Sequence, residues 1–108
     1  MRKDGLDSIN DLIHAKARLG IMSMVMTYEH CDFTMLKKKL KLTDGNLGAH
    51  IQKLEEAQYI ITKKTFLGRK PKTYVSVTEE GREAYREYIA TLEAVLYGEI
   101  FHEGEDDE

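Results

Sequence analysis

The sequence predicts a single, mostly helical α+β domain in which one β-hairpin separates a helical N-terminal region from a long C-terminal helix. Apolar residues recur every three or four positions through much of residues 15–57, a spacing typical of amphipathic helices. Residues 59–77 are instead rich in β-branched and aromatic residues, which favours strands. From residue 79 to about residue 101 the helical spacing returns.

The composition suits one globular domain, expected to cover residues 1–102. The chain has 108 residues and is 42% apolar, enough for one modest core. It holds no apolar run of about 18 residues, so no membrane span is expected, and the basic start lacks the apolar stretch of a signal peptide. Cys31 is the only cysteine, which favours a buried thiol in a reducing cytoplasm over a redox sensor.

The charges are distributed unevenly along the chain. Residues 34–73 carry nine lysines and Arg69 against three acidic residues, whereas residues 79–108 carry eleven acidic residues against two arginines. A basic middle region indicates a surface that meets an anionic partner, although a solvated surface of mixed charge is the alternative. Residues 103–108 are predicted to form a short acidic tail.

Two helices are expected near the N-terminus, over residues 6–13 and residues 15–28. Their inward-facing residues are Leu6, Ile9, Leu12 and Ile13 in the first helix, and Leu19, Met22, Val25 and Met26 in the second. Core packing explains the methionines better than metal binding, because thioether sites normally include thiolate or imidazole ligands. The histidines are scattered, so neither a metal site nor a cofactor is expected.

A short extended piece at residues 31–33 and a pair of helices come next. The pair covers about residues 35–40 and 44–57, with Thr34 and Thr43 as the expected N-caps. A Leu-Thr turn joins the two helices.

The strand-forming region is predicted to be an antiparallel hairpin. Its strands cover residues 59–66 and 73–77, and residues 68–72 form a basic tip that holds the only proline. Thr78 is the expected N-cap of the last helix, which has acidic residues in its first turn.

A helix pair followed by a hairpin with a basic tip is the layout of a winged helix-turn-helix. In this motif the second helix of the pair enters the major groove of DNA, and its N-terminal half contacts base edges. A helical wheel of residues 44–57 places Leu47, Ile51 and Leu54 inward. Gly45 and Gly48 then lie outside, where small side chains allow a close approach to DNA. The alternative is that residues 44–46 form a turn and the helix starts later.

Candidate DNA contacts lie on this helix and on the hairpin tip. Asn46 and Gln52 carry amides that can pair with adenine, and His50 and Lys53 can meet a guanine or a phosphate. Cations on the tip can follow the DNA backbone or enter a narrow minor groove. The predicted DNA-binding residues are Thr43, Gly45, Asn46, Ala49, His50, Gln52, Lys53, Arg69, Lys70 and Lys72.

The apolar stripe of the last helix is longer than the core of its own domain is expected to cover. A partner helix is the natural cover, and a twofold homodimer would present two such helices to the two halves of an operator. The predicted dimerisation residues are Tyr85, Tyr88, Ile89, Leu92, Val95 and Leu96. The alternative is that the helix folds back on its own domain.

Other classes of function fit the sequence less well. It holds no nucleophile–base set, no Walker-type phosphate loop and no metal-ligand spacing, so we expect no enzyme. A winged helix used only for protein contacts remains the alternative, but such modules usually lack the cations found here at Lys53 and Arg69 to Lys72. A small organic effector is compatible with a dimer, and nothing in the sequence identifies one.

Three segments resemble the winged-helix transcriptional regulators related to the MarR and ArsR families. These segments are LTDGNLGAHIQKLEEAQYI, FLGRKPKTY and VTEEG, and the resemblance extends over nearly the whole chain. It implies a homodimeric DNA-binding regulator of bacterial or archaeal type that binds double-stranded DNA. The chain departs from the pattern at Gly48, where relatives tend to have serine, and at Gln58, where a helix-ending glycine is common. Gln58 is therefore expected either to adopt a left-handed conformation or to follow a different turn.

Overall fold

The computed structural model describes residues 5–99, which form a mostly helical α+β domain with a three-stranded antiparallel sheet. This architecture confirms the predicted fold class. The elements in chain order are a 3₁₀ turn at Gly5–Ser8, α1 at Lys16–Thr27, β1 at Cys31–Asp32, α2 at Phe33–Leu40, α3 at Asp44–Glu56, β2 at Ile60–Leu67, β3 at Lys70–Val77 and α4 at Glu79–Leu96.

The core lies between α1, α2, α3 and the inner face of the sheet. Its fully buried apolar side chains come from every helix and from β2 and β3. The largest of them are Tyr88, Ile13, Ile21, Met22, Leu36, Leu47, Leu54, Ile60 and Val75. Burying one such aliphatic side chain contributes about 1.5–3 kcal/mol, so the apolar spacing in the sequence is what holds the helices together.

The N-terminal segment differs from the predicted helix over residues 6–13. Only Gly5–Ser8 is helical, and Leu6 is 66% exposed rather than inward-facing. The side-chain Oδ1 of Asn10 accepts a hydrogen bond from the backbone N–H of Ile13 at 3.1 Å. Asparagine competes in this way with helical backbone hydrogen bonds, which explains why the helix stops early. Ile13 is buried, as expected.

The caps of α3 and α4 are those predicted, whereas the cap of α2 is not. The hydroxyl of Thr43 accepts from the backbone N–H of Asn46 at 3.1 Å, so α3 begins at Asp44 and the alternative of a turn at residues 44–46 is wrong. For α2 the predicted N-cap Thr34 is wrong. Asp32 caps it instead, accepting from the N–H of Met35 at 2.9 Å, because the chain passes directly from β1 into the helix.

The hairpin is longer and its loop shorter than predicted. The paired residues run from Ile60 opposite Val77 to Leu67 opposite Lys70, which leaves a loop of Gly68 and Arg69 in place of a tip over residues 68–72. Gly68 has a φ of 67°, which suits the first loop position of so tight a hairpin. Pro71 therefore lies in β3. It is tolerated there because β1 pairs with β3 only opposite residues 74 and 75, which leaves that side of β3 open at Pro71.

Gln58 adopts the left-handed conformation that was one of its two expected outcomes. Its φ is 66°, and its N–H donates to the carbonyl of Glu55 at 2.8 Å. The next N–H, from Tyr59, donates to the carbonyl of Leu54 at 3.0 Å. This pair of hydrogen bonds is the Schellman ending of a helix, with glutamine where glycine is usual.

The start of α4 is hydrogen-bonded to this same turn. The N–H of Thr78 donates to the carbonyl oxygen of Tyr59 at 3.0 Å, and the hydroxyl of Thr78 donates to the carbonyl of Gln58 at 2.6 Å. A Cβ at Gly81 would overlap the same Tyr59 carbonyl and would lie 2.9 Å from a methyl carbon of Val77. The glycine is therefore required by a close approach of α4 to the backbone.

The last helix is shorter than predicted. It ends at Leu96 rather than near residue 101, and Gly98 follows with a φ of 75°. Glycine after a helix commonly takes this left-handed conformation. Residues 100 and 101, at the end of the predicted helix, and the acidic tail at residues 103–108 lie outside the described residues.

Replacing Gly81 by alanine is expected to lower the free energy of unfolding by about 1–3 kcal/mol, because the new methyl group meets a backbone carbonyl that cannot move away. Urea denaturation followed by circular dichroism measures this change. The matched control is Gly48→Ala, where an added Cβ meets no atom within 4 Å and helix propensity alone favours alanine by about 1 kcal/mol. Equal stability of the two variants would contradict the packing described for α4.

Candidate nucleic-acid interface

The face of α3 that points away from the core is exposed, as the helical wheel predicted. Leu47, Ile51 and Leu54 are at most 6% exposed and hold the inner face in place. The predicted DNA-binding residues Thr43, Gly45, Asn46, Ala49, Gln52 and Lys53 are all exposed, and His50 is half-buried.

The glycines of α3 serve no packing need within the described chain. A Cβ at Gly45 or at Gly48 would meet no atom within 4 Å. Each glycine is unfavourable relative to alanine in a helix, by up to about 1 kcal/mol in its interior. Nothing inside the domain offsets that disadvantage. An external surface that approaches the helix closely would offset it.

The acidic residues of α3 are engaged in contacts. Asp44, in the first turn, lies 2.9 Å from the ammonium nitrogen of Lys37 on α2. At the other end, Oε2 of Glu55 accepts from the hydroxyl of Thr62 on β2 at 2.7 Å, and Oε2 of Glu56 accepts from Nε2 of Gln52 at 3.4 Å. Each of the three acidic side chains of α3 thus has a polar partner within the domain.

His50 contacts an arginine of α1 that the sequence analysis did not single out. Nη1 of Arg18 lies 3.1 Å from Nδ1 of His50, and Nε of Arg18 donates to the carbonyl oxygen of Leu12 at 2.6 Å. Partial burial is the main cause that lowers the pKa of His50, and the charges of Arg18 and Lys53 lower it further. In the sequence, the one feature that points to this contact is that Arg18 lies within the apolar stripe of its helix.

The hairpin of β2 and β3, called the wing from here on, carries positively charged residues and no negatively charged ones. Residues 60–77 hold Lys63, Lys64, Arg69, Lys70 and Lys72 and no acidic residue. Arg69 and Lys70 are exposed at the loop, as expected for contacts with DNA.

Lys72 is placed differently from the other two predicted wing contacts. Its ammonium nitrogen lies 3.6 Å from Oδ2 of Asp32, and its side chain is 33% exposed. Asp32 thus caps α2 with one carboxylate oxygen and faces Lys72 with the other. This pairing cannot be predicted from the sequence alone, because it depends on the register that places β1 beside β3.

The wing also exposes apolar side chains that the sequence analysis did not single out. Phe66 is 70% exposed and Leu67 is 63% exposed, both next to the loop. Ile61, nearer the base of the wing, is 57% exposed.

The apolar stripe of α4 divides into a covered part and an open part. Tyr88 is 2% exposed, and its hydroxyl lies 2.7 Å from Nδ1 of His14. The structure therefore places it in the core of its own domain, and its predicted part in dimerisation stays a prediction. The stripe begins in the core of its own domain because α4 crosses α1 there.

The other residues of the stripe become more exposed towards the end of α4. The hydroxyl of Tyr85 lies 2.9 Å from Oγ of Ser23, and Ile89 and Leu92 pack in part against the core. Leu96 is 71% exposed, and Tyr97, just past the helix, is 76% exposed. The uncovered apolar surface is therefore concentrated at the C-terminal end of α4.

Cys31 is buried in β1 and is 1% exposed. Burial raises the pKa of its thiol, and the neighbouring carboxylate of Asp32 raises it further. A protonated, buried thiol is a poor nucleophile. The side chain therefore contributes to the core in the way the sequence analysis favoured.

Two further properties of residues 5–99 bear on function. Within this range no three His, Cys, Asp or Glu side chains are grouped so that they could hold a metal ion. None of the helices described here combines the length and apolar character needed to cross a membrane.

This arrangement defines a class of protein, the winged-helix DNA-binding domains of transcriptional regulators. The chain belongs to the family described as the winged helix DNA-binding domain, whose model matches residues 17–96. A curated relative, an uncharacterised protein of Methanocaldococcus jannaschii, is 40% identical over 78 residues, which make up 72% of this chain and 85% of that protein.

Solved structures support the same assignment. A transcriptional regulator homologue from Pyrococcus horikoshii OT3 aligns with a TM-score of 0.76 at 34% identity, over 82% of this chain and 88% of that chain. A MarR-family transcriptional regulator from Rhodococcus sp. RHA1 shares the fold, with a TM-score of 0.65 at 16% identity over 94% of this chain and 73% of its own. These comparisons confirm the resemblance to winged-helix transcriptional regulators, and the fold is shared with a MarR-family regulator. They also confirm the prediction that the protein is not an enzyme, because the family and fold are those of DNA-binding regulators.

Thiol reagents are expected to modify Cys31 at least about 100-fold more slowly in the native protein than in urea at pH 8, because the native thiol is buried and its pKa is raised. The raised pKa also means that the free energy of unfolding falls as the pH rises above about 8.5, because the thiol of the unfolded chain then ionises while the buried thiol stays protonated.

A matched control for this measurement moves the thiol to the surface. The variant Cys31→Ser combined with Ser76→Cys places one cysteine at an exposed position of β3. This thiol should react rapidly in the native protein. A similarly rapid reaction of the native wild-type protein would show that Cys31 is accessible.

Proposed function

We propose that the protein is a homodimeric transcriptional regulator that inserts α3 into the major groove of duplex DNA and lays the wing along the backbone or in the minor groove. The observation that carries this proposal is the combination of an exposed, glycine-containing face on α3 with a wing that has five cations and no acidic residue. Such a pairing of surfaces suits a polyanion with a wide groove.

The residues of α3 divide into two roles in this proposal. Asn46 and Gln52 supply amide groups that can hydrogen-bond to base edges, and the amide of Gln52 is positioned by Glu56. Gly45 and Ala49 have no side chain or a small one on the same face, so that the helix backbone can come close to the bases. Thr43, at the N-terminal end of the helix, is exposed beside the same face.

The cations provide most of the affinity in this proposal. Arg69 and Lys70 at the loop of the wing and Lys53 on α3 are exposed and lie within reach of phosphates. Lys72 acts differently, because its contact with Asp32 links the wing to β1 and leaves it a smaller part in binding DNA.

A second copy of the chain completes the proposed assembly. Leu96 and Tyr97 leave an apolar end on α4 that a partner α4 would cover. A twofold dimer would place two α3 helices about one turn of DNA apart, roughly 34 Å, and so match an operator with two half-sites. Because the proposed partner is chromosomal DNA, the proposed location of the protein is the cytoplasm.

A winged helix that contacts another protein is the second candidate function. The observation that favours it is the exposure of Phe66 and Leu67 on the wing. Failure to bind any duplex DNA at low salt would support this candidate over the first.

Replacing Arg69 and Lys70 together by glutamine is expected to weaken binding to all duplexes alike. For the dimer it should lower the slope of log K against log salt by about 3.6, since two phosphate contacts are lost in each subunit and each contributes about 0.9. Asn46→Ala should instead leave the slope unchanged and reduce the discrimination between operator and random DNA by about 1–3 kcal/mol. Fluorescence anisotropy on a selected duplex and on a random pool measures both effects.

The matched control for the charge change is Arg86→Gln, an exposed cation on α4 outside the proposed interface. It should leave both the slope and the affinity unchanged. The placement of the interface is wrong if two results are found together: replacing Arg69 and Lys70 weakens binding no more than replacing Arg86 does, and Asn46→Ala leaves the sequence preference unchanged.

Sedimentation equilibrium at micromolar concentration is expected to give twice the chain mass of 12.4 kDa. Leu96→Glu places a charge on the apolar end of α4 and should weaken the dimer at least about 10-fold, because a charged residue in an apolar interface loses its hydration. Leu67→Glu is the matched control, since Leu67 is 63% exposed on the wing and Leu96 is 71% exposed. A monomeric wild-type protein, or two variants with the same dimer constant, would contradict this surface.

A further inference from the structure

We propose that Arg18 holds the ring of His50 as a neutral hydrogen-bond donor. At this position α3 therefore presents a donor that can pair only with a hydrogen-bond acceptor on DNA. The inference rests on the proposed function of α3 and assigns Arg18 as a positioning residue. Arg18 belongs to α1 and reaches α3 only through the fold.

The guanidinium of Arg18 is held on two sides. Its Nε donates to the carbonyl oxygen of Leu12 at 2.6 Å, just before the buried Ile13. Its Nη1 lies 3.1 Å from Nδ1 of His50. The arginine therefore links the segment that precedes α1 to the outer flank of α3, and its position does not depend on His50 alone.

The chemistry of the two side chains fixes the position of the ring proton. A guanidinium has five N–H donors, has no acceptor and stays charged at any pH that a folded protein tolerates. Nδ1 of His50 must therefore accept, which leaves the proton of the neutral ring on Nε2. A doubly protonated ring would have to break this hydrogen bond, because both of its nitrogens would then be donors.

The charges near the ring act in the same direction. Burial, Arg18 from α1 and Lys53 from one turn further along α3 all lower the pKa of His50. The ring is therefore neutral at pH 7, and it offers one donor, Nε2–H, which points roughly opposite to the contact with Arg18.

His50 shares one flank of α3 with Asn46 and Lys53, at spacings of four and three residues. On a base edge in the major groove, Nε2–H can be accepted by guanine N7 or O6, adenine N7 or thymine O4, but the N4 amino group of cytosine cannot accept it. A phosphate oxygen is the other acceptor within the same chemistry. A neutral donor releases no counterions, so this contact should add nothing to the salt dependence.

Nuclear magnetic resonance of the imidazole nitrogens is the direct test, with His50→Gln used to assign the signals. The wild-type protein should show the Nε2–H form and an apparent pKa below that of an unperturbed histidine, about 6.5. Arg18→Leu removes the donor, so the ring should become a mixture of both neutral forms and its pKa should rise. Arg18→Lys keeps a charged donor and should largely restore the wild-type spectrum.

Binding to DNA tests the consequence. With Arg18→Leu, affinity should increase as the pH falls from about 7.5 to about 5.5, because the ring, no longer beside the charge of Arg18, becomes a cation at a higher pH than in the wild-type protein. The wild-type protein should show a smaller change over that range. His50→Leu should bind about 3- to 10-fold more weakly at neutral pH with an unchanged salt slope, and His50→Gln, which keeps a neutral donor, should lose less.

The outcomes separate the possible acceptors from one another and from failure of the proposal. A loss that His50→Leu shows on only some sequences points to a base edge, whereas an equal loss on all sequences points to a phosphate. A wild-type ring protonated on Nδ1, or a spectrum unchanged by Arg18→Leu, overturns the role of Arg18. A wild-type protein that shows the expected ring signals but binds no duplex DNA overturns the proposed function and the DNA contact of His50 while leaving the Arg18–His50 pairing intact.

Discussion

The carbonyl oxygen of Tyr59 is the point on which the relative placement of the functional elements depends. It follows the Schellman ending of α3, lies just before β2 and accepts the N–H and the hydroxyl of Thr78 at the start of α4. Gly81 brings the first turn of α4 against the same atom. The proposed DNA-contacting helix, the wing and the proposed dimerisation helix therefore meet at a single turn. A shift there would change the spacing of two α3 helices in a dimer, and that spacing must match the period of DNA.

In the proposed complex, affinity and specificity are separated by the kind of group that each surface carries. The wing gathers cations and no acids, which favours contacts with phosphates that carry no sequence information. The exposed face of α3 carries amides, small residues and a histidine kept neutral, with Lys53 as its one cation. Neutral donors and acceptors gain little from a phosphate backbone and more from a matching base edge. The proposed division is compatible with a net charge of −3, because the cations are concentrated in the region proposed to face DNA.

Residues that touch no DNA in the proposed complex nevertheless define its surface. Asp32 caps α2 and faces Lys72, so the wing is joined to the helix pair by one carboxylate. Glu55 does the same from α3, accepting the hydroxyl of Thr62 on β2. Arg18 extends the pattern to α1. Each link is a single polar contact of modest strength, but together they limit how far the wing and α3 can move apart.

The sequence by itself determined the fold class, the inner face of α3, the caps Thr43 and Thr78 and the basic character of the wing, because these depend on residue spacing and on groups a few positions apart. It also allowed for the left-handed Gln58. The tertiary structure alone decided that Tyr88 is a core residue, that Asp32 caps α2, that Lys72 is paired and that Arg18 reaches His50. In each case the deciding atom comes from an element distant in the chain or from a strand register. Helical periodicity shows which side of a helix is apolar, but only packing shows whether its own domain covers that side.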